Sequence, residues 1–291
     1  MLAIVGTIPE EDFPLVAGEV CLETDAIRVG EKGVPVNRGT PALLAAAIKA
    51  GEVLGLSSPL GYLVGDIGLG HGSRRLYDHL VRHIARSPVH VITFHYLQPD
   101  VDWHNKVLFA VQEMNPRPIL IADAGFMYAA KMSGQSEAYE LFTPDAGELA
   151  FLADEEAPHP FYTRGFILHD ENRIPDLITR AYNHKNGARY LLVKGKQDHV
   201  ASREGIHAMI DLPVDEALEA VGGTGDTLTG IVSALIASGI ETLEAAILAS
   251  RINRLAGHYA SPTPASQVME MIAHIPRAVE ETLKSREKRH E

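Results

Sequence analysis

The stretch Val221-Gly-Gly-Thr-Gly-Asp-Thr-Leu-Thr-Gly230 constrains this chain more than any other part of it. Gly222, Gly223 and Gly225 let the backbone turn tightly and approach another group with no Cβ in the way. Leu228, Ile231, Val232, Leu235 and Ile236 then recur at helical spacing, which predicts a core-facing helix that begins at or just after Asp226. A glycine turn at a helix N-terminus aims N–H groups and the positive end of the dipole at whatever lies above it, and phosphate is the usual guest. Asp226 sets this loop apart from a plain anion nest. A carboxylate there repels an anion, and its chemical use is to take a proton from a hydroxyl or water. The plainer reading, that Asp226 only caps the helix, competes with it; the glycine doublet and the apolar helix behind it weigh against that reading.

Composition narrows the setting. The chain has 291 residues, 46% of them hydrophobic and 22% charged, ample material for a buried core. With 38 acidic against 26 basic residues the formal net charge is -12, which disfavours nucleic acid and anionic membranes as partners while leaving room for a local basic pocket. The lone Cys21 excludes an internal disulfide framework and a cysteine metal cluster, and a cytoplasmic compartment is expected. No apolar run reaches transmembrane length, and Met-Leu-Ala-Ile-Val at the start is too short for a signal region before Glu10, Glu11 and Asp12. The stretch 284–291 reads as a solvated helix end.

Strand-like and helical runs alternate, with no repeat and no long linker, so one domain spanning 1–291 is expected. Tyr62–Val64, Val89–Phe94, Ile119–Ala122, Tyr190–Val193 and Ile206–Ile210 are short, apolar and partly β-branched. Pro41–Ala50, Ser73–Arg86, Trp103–Met114, Ile174–His184 and Leu243–Tyr259 carry amphipathic helical spacing. That alternation predicts an α/β fold with a parallel sheet covered on both faces, whose ligands bind beyond the C-terminal strand ends. Asp66, His95, Asp123 and Lys194 each follow one of these strands.

Further residues stand out. In Leu141-Phe-Thr-Pro-Asp-Ala-Gly-Glu148, Asp145 and Glu148 share one side of a helical turn, the pattern of a capping box with Asp145 as cap and Glu148 reaching back. Lys194, followed by Gly195, ends a strand, where a lysine can meet phosphate as a point charge or simply be solvated. Asp123 lies at a strand-to-loop junction, a common place for a turn former. The glycine spacing of Gly65-Asp-Ile-Gly-Leu-Gly-His-Gly-Ser73 does not fit a dinucleotide fingerprint, and a flexible active-site loop is expected there. Within Arg254–His258, Ala256 and Gly257 indicate close helix packing. His79 and His83 have a spacing that can bind zinc, but no third ligand accompanies them and they flank the exposed side of their helix.

Gly-Gly-Thr-Gly-Asp-Thr-Leu-Thr-Gly resembles the Gly-x-Gly-Asp signature of the ribokinase-like superfamily, and its doubled glycine is most similar to the ADP/ATP-dependent NAD(P)H-hydrate dehydratase branch. Thr143, Pro144, Gly147 and Glu148 match that branch's Thr-Pro-His-Pro-Gly-Glu element, with Asp145 in place of histidine and Ala146 in place of proline. Ile121-Ala-Asp-Ala-Gly125, Lys194-Gly195 and Gly39-Thr-Pro41 resemble further family segments, although the Gly-Gly-Ser and tyrosine that normally precede the last are missing. The Gly65–Ser73 stretch looks like a degraded Pro-Gly-Leu-Gly turn.

The resemblance implies a three-layer α/β/α fold with a mostly parallel central sheet. It implies Asp226 as catalytic base, with Gly222, Gly223, Thr224 and Gly225 as the anion hole. Lys194 and Gly195 would meet the nucleotide, Asp123, Gly39, Thr40 and Asp145 the substrate, and Glu148 a magnesium ion through water. ATP or ADP, Mg2+ and a helping K+ are the implied cofactors, and a homo-oligomer is the implied assembly. The implied reaction is phosphorylation and dehydration of hydrated NAD(P)H. The alternative is a kinase of the same fold acting on a small sugar or alcohol. A nucleotide sensor without catalysis is disfavoured by Asp226, because a pure binder gains nothing from a carboxylate beside phosphates.

Overall fold

The computed structural model describes residues 1–157 and 174–290. Its packing divides the chain into two compact units, Met1–Ile4, Val16–Tyr62 and Ile210–Glu291 in the first, Val5–Leu15 and Leu63–Met209 in the second. Strands β1 (Leu2–Ile8) and β5 (Leu60–Gly65) pass through both.

The second unit adds β6 (Val91–His95), β7 (Ile119–Ala122), β8 (Leu141–Phe142), β9 (Tyr190–Val193), β10 (Asp198–Ser202) and β11 (Gly205–Ile210). Their order is β11-β10-β9-β8-β7-β6-β1-β5. Strands β6 to β9 are parallel, with Val91 opposite Ile119, Ile121 opposite Leu141 and Leu141 opposite Tyr190. Strand β10 turns back antiparallel to β9, His199 opposite Val193. All of β6 and β9 is buried, as parallel strands covered on both faces require. The helices here are α2 (His71–His83), α3 (Val101–Gln112), α4 (Phe126–Met132), α5 (Ala146–Ala153) and α6 (Ile174–Asn183). Phe126 is the hub of an aromatic core, stacked at 4.0 Å on Phe94 and touching Tyr77, His104 and Tyr139. His104 is wholly buried, with Nε2 2.9 Å from the Tyr139 hydroxyl, and burial pulls its pKa down to about 4.

In the first unit the strand order is β5-β2-β3-β4, with β2 (Val16–Glu23), β3 (Ala26–Val29) and β4 (Lys32–Pro35). These three form an antiparallel meander with Val20 opposite Val29 and Ile27 opposite Val34. Its helices are α1 (Thr40–Leu54), α7 (Thr224–Ala237), α8 (Thr242–Ala260), α9 (Val268–Ile272) and α10 (Ile275–His290). Small residues bring α1 and α7 into close contact. A Cβ on Gly230 would lie 2.2 Å from the Leu43 carbonyl oxygen and 3.1 Å from the Ala46 Cβ. Gly257 of α8 likewise leaves room for Leu218, whose Cδ1 would be 2.5 Å from an added Cβ.

The five strands and five helices expected from periodicity are all present; Ile119–Ala122 and Tyr190–Val193 have the expected bounds, and the others differ by a residue or a few at their ends. The helix after the glycine turn starts at Thr224, earlier than expected, so Asp226 lies inside its first turn. The helical tail runs to His290, and Glu291 lies outside the described residues. No helix among the described residues is long and apolar enough to cross a membrane.

The Gly65–Ser73 loop is organised by Asp66. Its Oδ1 accepts the N–H groups of Gly68 and Gly70 at 3.0 Å, and its Oδ2 accepts the Ser73 N–H and hydroxyl at 2.8 Å. Two glycines hold the approach: a Cβ on Gly65 would sit 2.0 Å from the Glu10 carbonyl oxygen, and one on Gly72 1.9 Å from that of Gly65. Burial works to raise the Asp66 pKa, but the donors from Ser73, Gly70 and Gly68 outweigh it and the net shift is downward.

Two predictions follow from this packing. Helix propensity alone would make Gly230→Ala stabilising by about 1 kcal/mol. The clash with a backbone carbonyl, which no side-chain rotation relieves, reverses the sign to a loss of about 1–3 kcal/mol, read by urea denaturation. For Asp66, a pKa lowered on folding means that ionisation favours the folded state at pH above the ordinary aspartate value of 3.8, and that this contribution fades as the pH falls through the lowered value. Asp66→Asn is therefore less stable than the parent at pH 7, and the two denaturation midpoints converge on acidification below the ordinary aspartate range.

Candidate active site

Helices α1, α2, α4 and α7 begin at glycines with φ of 68°, 79°, 69° and 99° (Gly39, Gly70, Gly125 and Gly223), and none of these cap residues has a side chain to occupy the helix start. Helices α3, α5 and α8 begin instead with the side chains of Asp100, Asp145 and Glu241 accepting first-turn N–H groups. The start of α2 is filled by Asp66, which accepts the Ser73 N–H, whereas at α1 and α7 no cap side chain bonds a first-turn N–H, which leaves those groups and the dipole to an outside anion.

In the first unit, the starts of α1 and α7 meet. Gly223 lies against the loop that leads into α1: a Cβ on it would be 3.2 Å from the Arg38 Cα and 3.4 Å from the Asn37 carbonyl oxygen. The Gly39 N–H donates to Asp226 Oδ2 at 2.6 Å, so the first cap residue of one helix orients the carboxylate of the other. Asp226 is only 8% exposed, and its place in the first turn of α7 is favoured by the dipole. Behind it Thr227 Oγ1 is 2.7 Å from Asn253 Oδ1, and Asn253 Nδ2 donates to the Thr224 carbonyl at 3.1 Å, which ties the turn to α8. Gly222, Gly223, Thr224, Gly225, Asp226, Gly39 and Thr40, all expected from the sequence, thus form one group, with Thr40 fully buried. Arg38 belongs to it as well, immediately before the Gly39-Thr-Pro41 segment, and carries no local sequence signal of its own.

In the second unit, Asp123, Lys194, His95, Asp145, Glu148 and Tyr128 gather. Lys194 Nζ donates to both carboxylate oxygens of Asp123 at 2.9 Å, and Asp123 Oδ1 also accepts the Ala124 N–H at 2.9 Å. Asp123 is 1% exposed and the Lys194 side chain 14%. His95 Nε2 lies 3.9 Å from the other Asp123 oxygen. Asp123 and Lys194, expected to serve substrate and nucleotide separately, are partners of each other. Gly195 donates its N–H to Asp198 Oδ1 at 3.1 Å, at the start of the β10–β11 hairpin. Asp145 and Glu148 close the reciprocal capping box of α5, each backbone N–H donating to the other's carboxylate at 2.8 Å. The Tyr128 hydroxyl donates to Glu148 Oε1 at 3.2 Å; Tyr128 has no local signal in an apolar helix and is found only in three dimensions. Burial, with the nearby Asp123 and Asp145 charges, pushes the Glu148 carboxyl well above the usual range, while the Lys194 ammonium works the other way. The far end of α5 is pinned by Lys131, whose ammonium donates to the carbonyls of Phe151 and Asp154 at 2.5 and 2.6 Å; burial lowers its pKa to about 8. His79 and His83 stack on α2 at 4.3 Å, and His83 Nδ1 is 2.7 Å from the His79 carbonyl oxygen.

The Asp123–Lys194 pair sets a stability prediction. Removing the lysine leaves a buried carboxylate without its main cation, which costs about 3–5 kcal/mol. Lys194→Met is expected to lose an amount of that order in chemical denaturation, and Lys194→Met/Asp123→Ala to regain much of it, because the orphaned charge is gone.

Against this geometry, the family model described as NAD(P)H-hydrate dehydratase matches residues 98–277, more than half of the chain; Gly39 and the Gly65–Ser73 loop lie outside that span. An uncharacterized protein of Methanocaldococcus jannaschii is 45% identical over 221 residues, 76% of this chain and 90% of that protein. A crystal structure of a ribokinase-like superfamily protein from Enterococcus faecalis matches with TM-score 0.59 and 15% identity, over 97% of this chain and 87% of that one. The ADP/ATP-dependent NAD(P)H-hydrate dehydratase of Bacillus subtilis, co-crystallized with ATP/Mg2+ and soaked with CoA, matches with TM-score 0.58 and 13% identity, over 97% of this chain and 91% of that one. The fold is therefore the α/β fold of the ribokinase-like proteins, as the sequence motifs implied. Family and fold together indicate an enzyme of the NAD(P)H-hydrate dehydratase or ribokinase-like kind. With a family model spanning the second motif, the lysine-glycine pair and the whole glycine turn, the chain belongs to the NAD(P)H-hydrate dehydratase family.

Proposed function

We propose that this protein is a nucleotide-dependent NAD(P)H-hydrate dehydratase, with Asp226 as its general base. The observation that carries the reading is the Asp226 carboxylate, held by the Gly39 N–H at 2.6 Å in the first turn of a helix that begins at a bare glycine. A base needs a fixed direction, and that bond supplies it.

Asp226 takes the proton from the hydroxyl of the hydrated nicotinamide ring. The freed oxygen attacks the terminal phosphorus of ATP or ADP, the bond to the bridging oxygen breaks, and the shortened nucleotide leaves. The N–H groups of the Gly222–Gly225 turn stabilise the charge that builds on the phosphoryl oxygens. The phosphate ester is then eliminated as inorganic phosphate with loss of a ring proton, and the reduced ring is restored.

Magnesium, when bound, offsets charge on the phosphates. Glu148 is the residue that would hold its water. It offers hard oxygen in a half-buried site crowded by Asp123 and Asp145, where an added cation relieves repulsion.

A second reading, phosphoryl transfer to a small alcohol with the ester kept as product, draws on Asp145. The dehydratase element has a histidine at that position, whereas here a carboxylate is committed to capping α5.

The test is recovery of the reduced-nicotinamide absorbance. Purified protein with Mg2+ and K+ is mixed with hydrated NADH and either ATP or ADP. Nucleotide-dependent recovery is expected, falling by about a hundredfold or more in Asp226→Asn. No recovery, from a protein that binds ATP, would hand the site to the kinase reading; full recovery in Asp226→Asn would remove Asp226 as the base.

A further inference from the structure

The Gly222–Asp226 turn has a cation beside it that neither the motifs nor the proposed chemistry accounts for. Arg38 immediately precedes Gly39, whose N–H holds Asp226. The Arg38 Cα would lie 3.2 Å from a Cβ on Gly223, and its Cδ 3.9 Å from a Cβ on Gly222. The stem of the side chain therefore runs along the glycine turn, and the guanidinium begins one bond beyond that Cδ. Arg38 is exposed, and no hydrogen bond or ion pair joins its guanidinium to another of the described residues. Elsewhere in the first unit Arg28 is engaged by Glu23 and Arg286 by Glu244.

Position and chemistry agree. The turn offers N–H groups, but it also carries the Asp226 carboxylate, which opposes the approach of an anion. A guanidinium on the rim offsets that charge, and its planar fork can take two phosphoryl oxygens at once. The backbone contact at Gly223 fixes the root of the side chain, so the charge is delivered by geometry and not by chance exposure.

We infer that Arg38 is a binding residue that clamps a polyphosphate at the mouth of the Gly222–Asp226 turn. The inference rests on the reading of that turn as a phosphate cradle. Either the phosphoryl donor or the pyrophosphate of the dinucleotide carries the chemistry that Arg38 recognises. The experiment separates the two sources and also separates failure of the inference from failure of the dehydratase reading.

Wild type, Arg38→Gln and Arg38→Lys are titrated calorimetrically, with Mg2+ present, with three probes: inorganic tripolyphosphate, the non-hydrolysable ATP analogue AMP-PCP, and NADH. Arg38→Gln is expected to weaken tripolyphosphate and one of the two nucleotides by about tenfold or more. The nucleotide affected identifies the source. Arg38→Lys should recover part of the loss, since it keeps the charge and lacks the fork. Melting temperatures should agree among the three proteins, because the side chain is exposed and supports no packing that the glycine turn needs. Equal binding of every probe by wild type and Arg38→Gln overturns the inference and leaves the dehydratase reading standing. Arg38-dependent binding of tripolyphosphate with no binding of either nucleotide keeps the inference and removes the dehydratase reading. A wild type that binds none of the three removes both.

Discussion

The approach of α1 to α7 is the constraint on which the first unit depends. Two helices can lie this close only where the surface between them is made of small residues, and Gly230 is the point at which even a methyl group would strike the Leu43 carbonyl. Close packing transmits position with little play. With the two bodies fixed, their starts are fixed too, and the Gly39 N–H comes within 2.6 Å of Asp226. The acid is oriented by backbone, which has no rotamers to lose. A side-chain donor in the same place would add its own freedom to that of the carboxylate.

The second unit solves a different problem, the burial of charge. Asp123, Lys194, Glu148 and His95 are gathered where water is scarce, and each charge is answered by another or by a polar hydrogen. Their positions come from parallel strands of modest length and from α5, a short helix held at both ends: a reciprocal cap at Asp145 and Glu148, and a buried ammonium at Phe151 and Asp154. Such an arrangement favours a single geometry, because any displacement leaves an unanswered polar group.

Much of this was legible in the sequence, for reasons that differ from place to place. Strands such as Tyr190–Val193 are continuous apolar runs, and helices such as Ile174–Asn183 bury one stripe, so periodicity found both. The glycine turn was legible because bare glycines before an apolar helix have few uses. The meander β2–β4 was not: β2 alternates half-buried and exposed residues, and its short partners Ala26–Val29 and Lys32–Pro35 look like loop until they pair. Strand β8 has only two residues and no period to detect. Asp226 in the first unit, and Asp123, Glu148 and Lys194 in the second, were marked by type and by their places at element ends. What they touch was not. That Lys194 answers Asp123 across 71 residues of chain, or that Tyr128 reaches Glu148, is a property of register between elements, which local pattern does not encode. Arg38 escaped notice for the opposite reason, since an exposed arginine in a loop is ordinary until the backbone beside it is known.

The division of the chain into units has a bearing on how the molecule is made. The second unit is drawn mostly from one unbroken stretch, Leu63–Met209, whereas the first needs Val16–Tyr62 together with Ile210–Glu291. During synthesis the helix that carries Gly39 leaves the ribosome long before its mate, and the bond from Gly39 to Asp226 spans 187 residues. Until α7 emerges, α1 presents an alanine-rich face with nothing to cover it. The interior stretch needs little of the chain that follows it, since nearly all of its unit lies within Val5–Leu15 and Leu63–Met209. The Asp226 carboxylate therefore meets its Gly39 partner only once the start of α7 is made, and a chain that stops short of it also lacks the helix against which α1 packs.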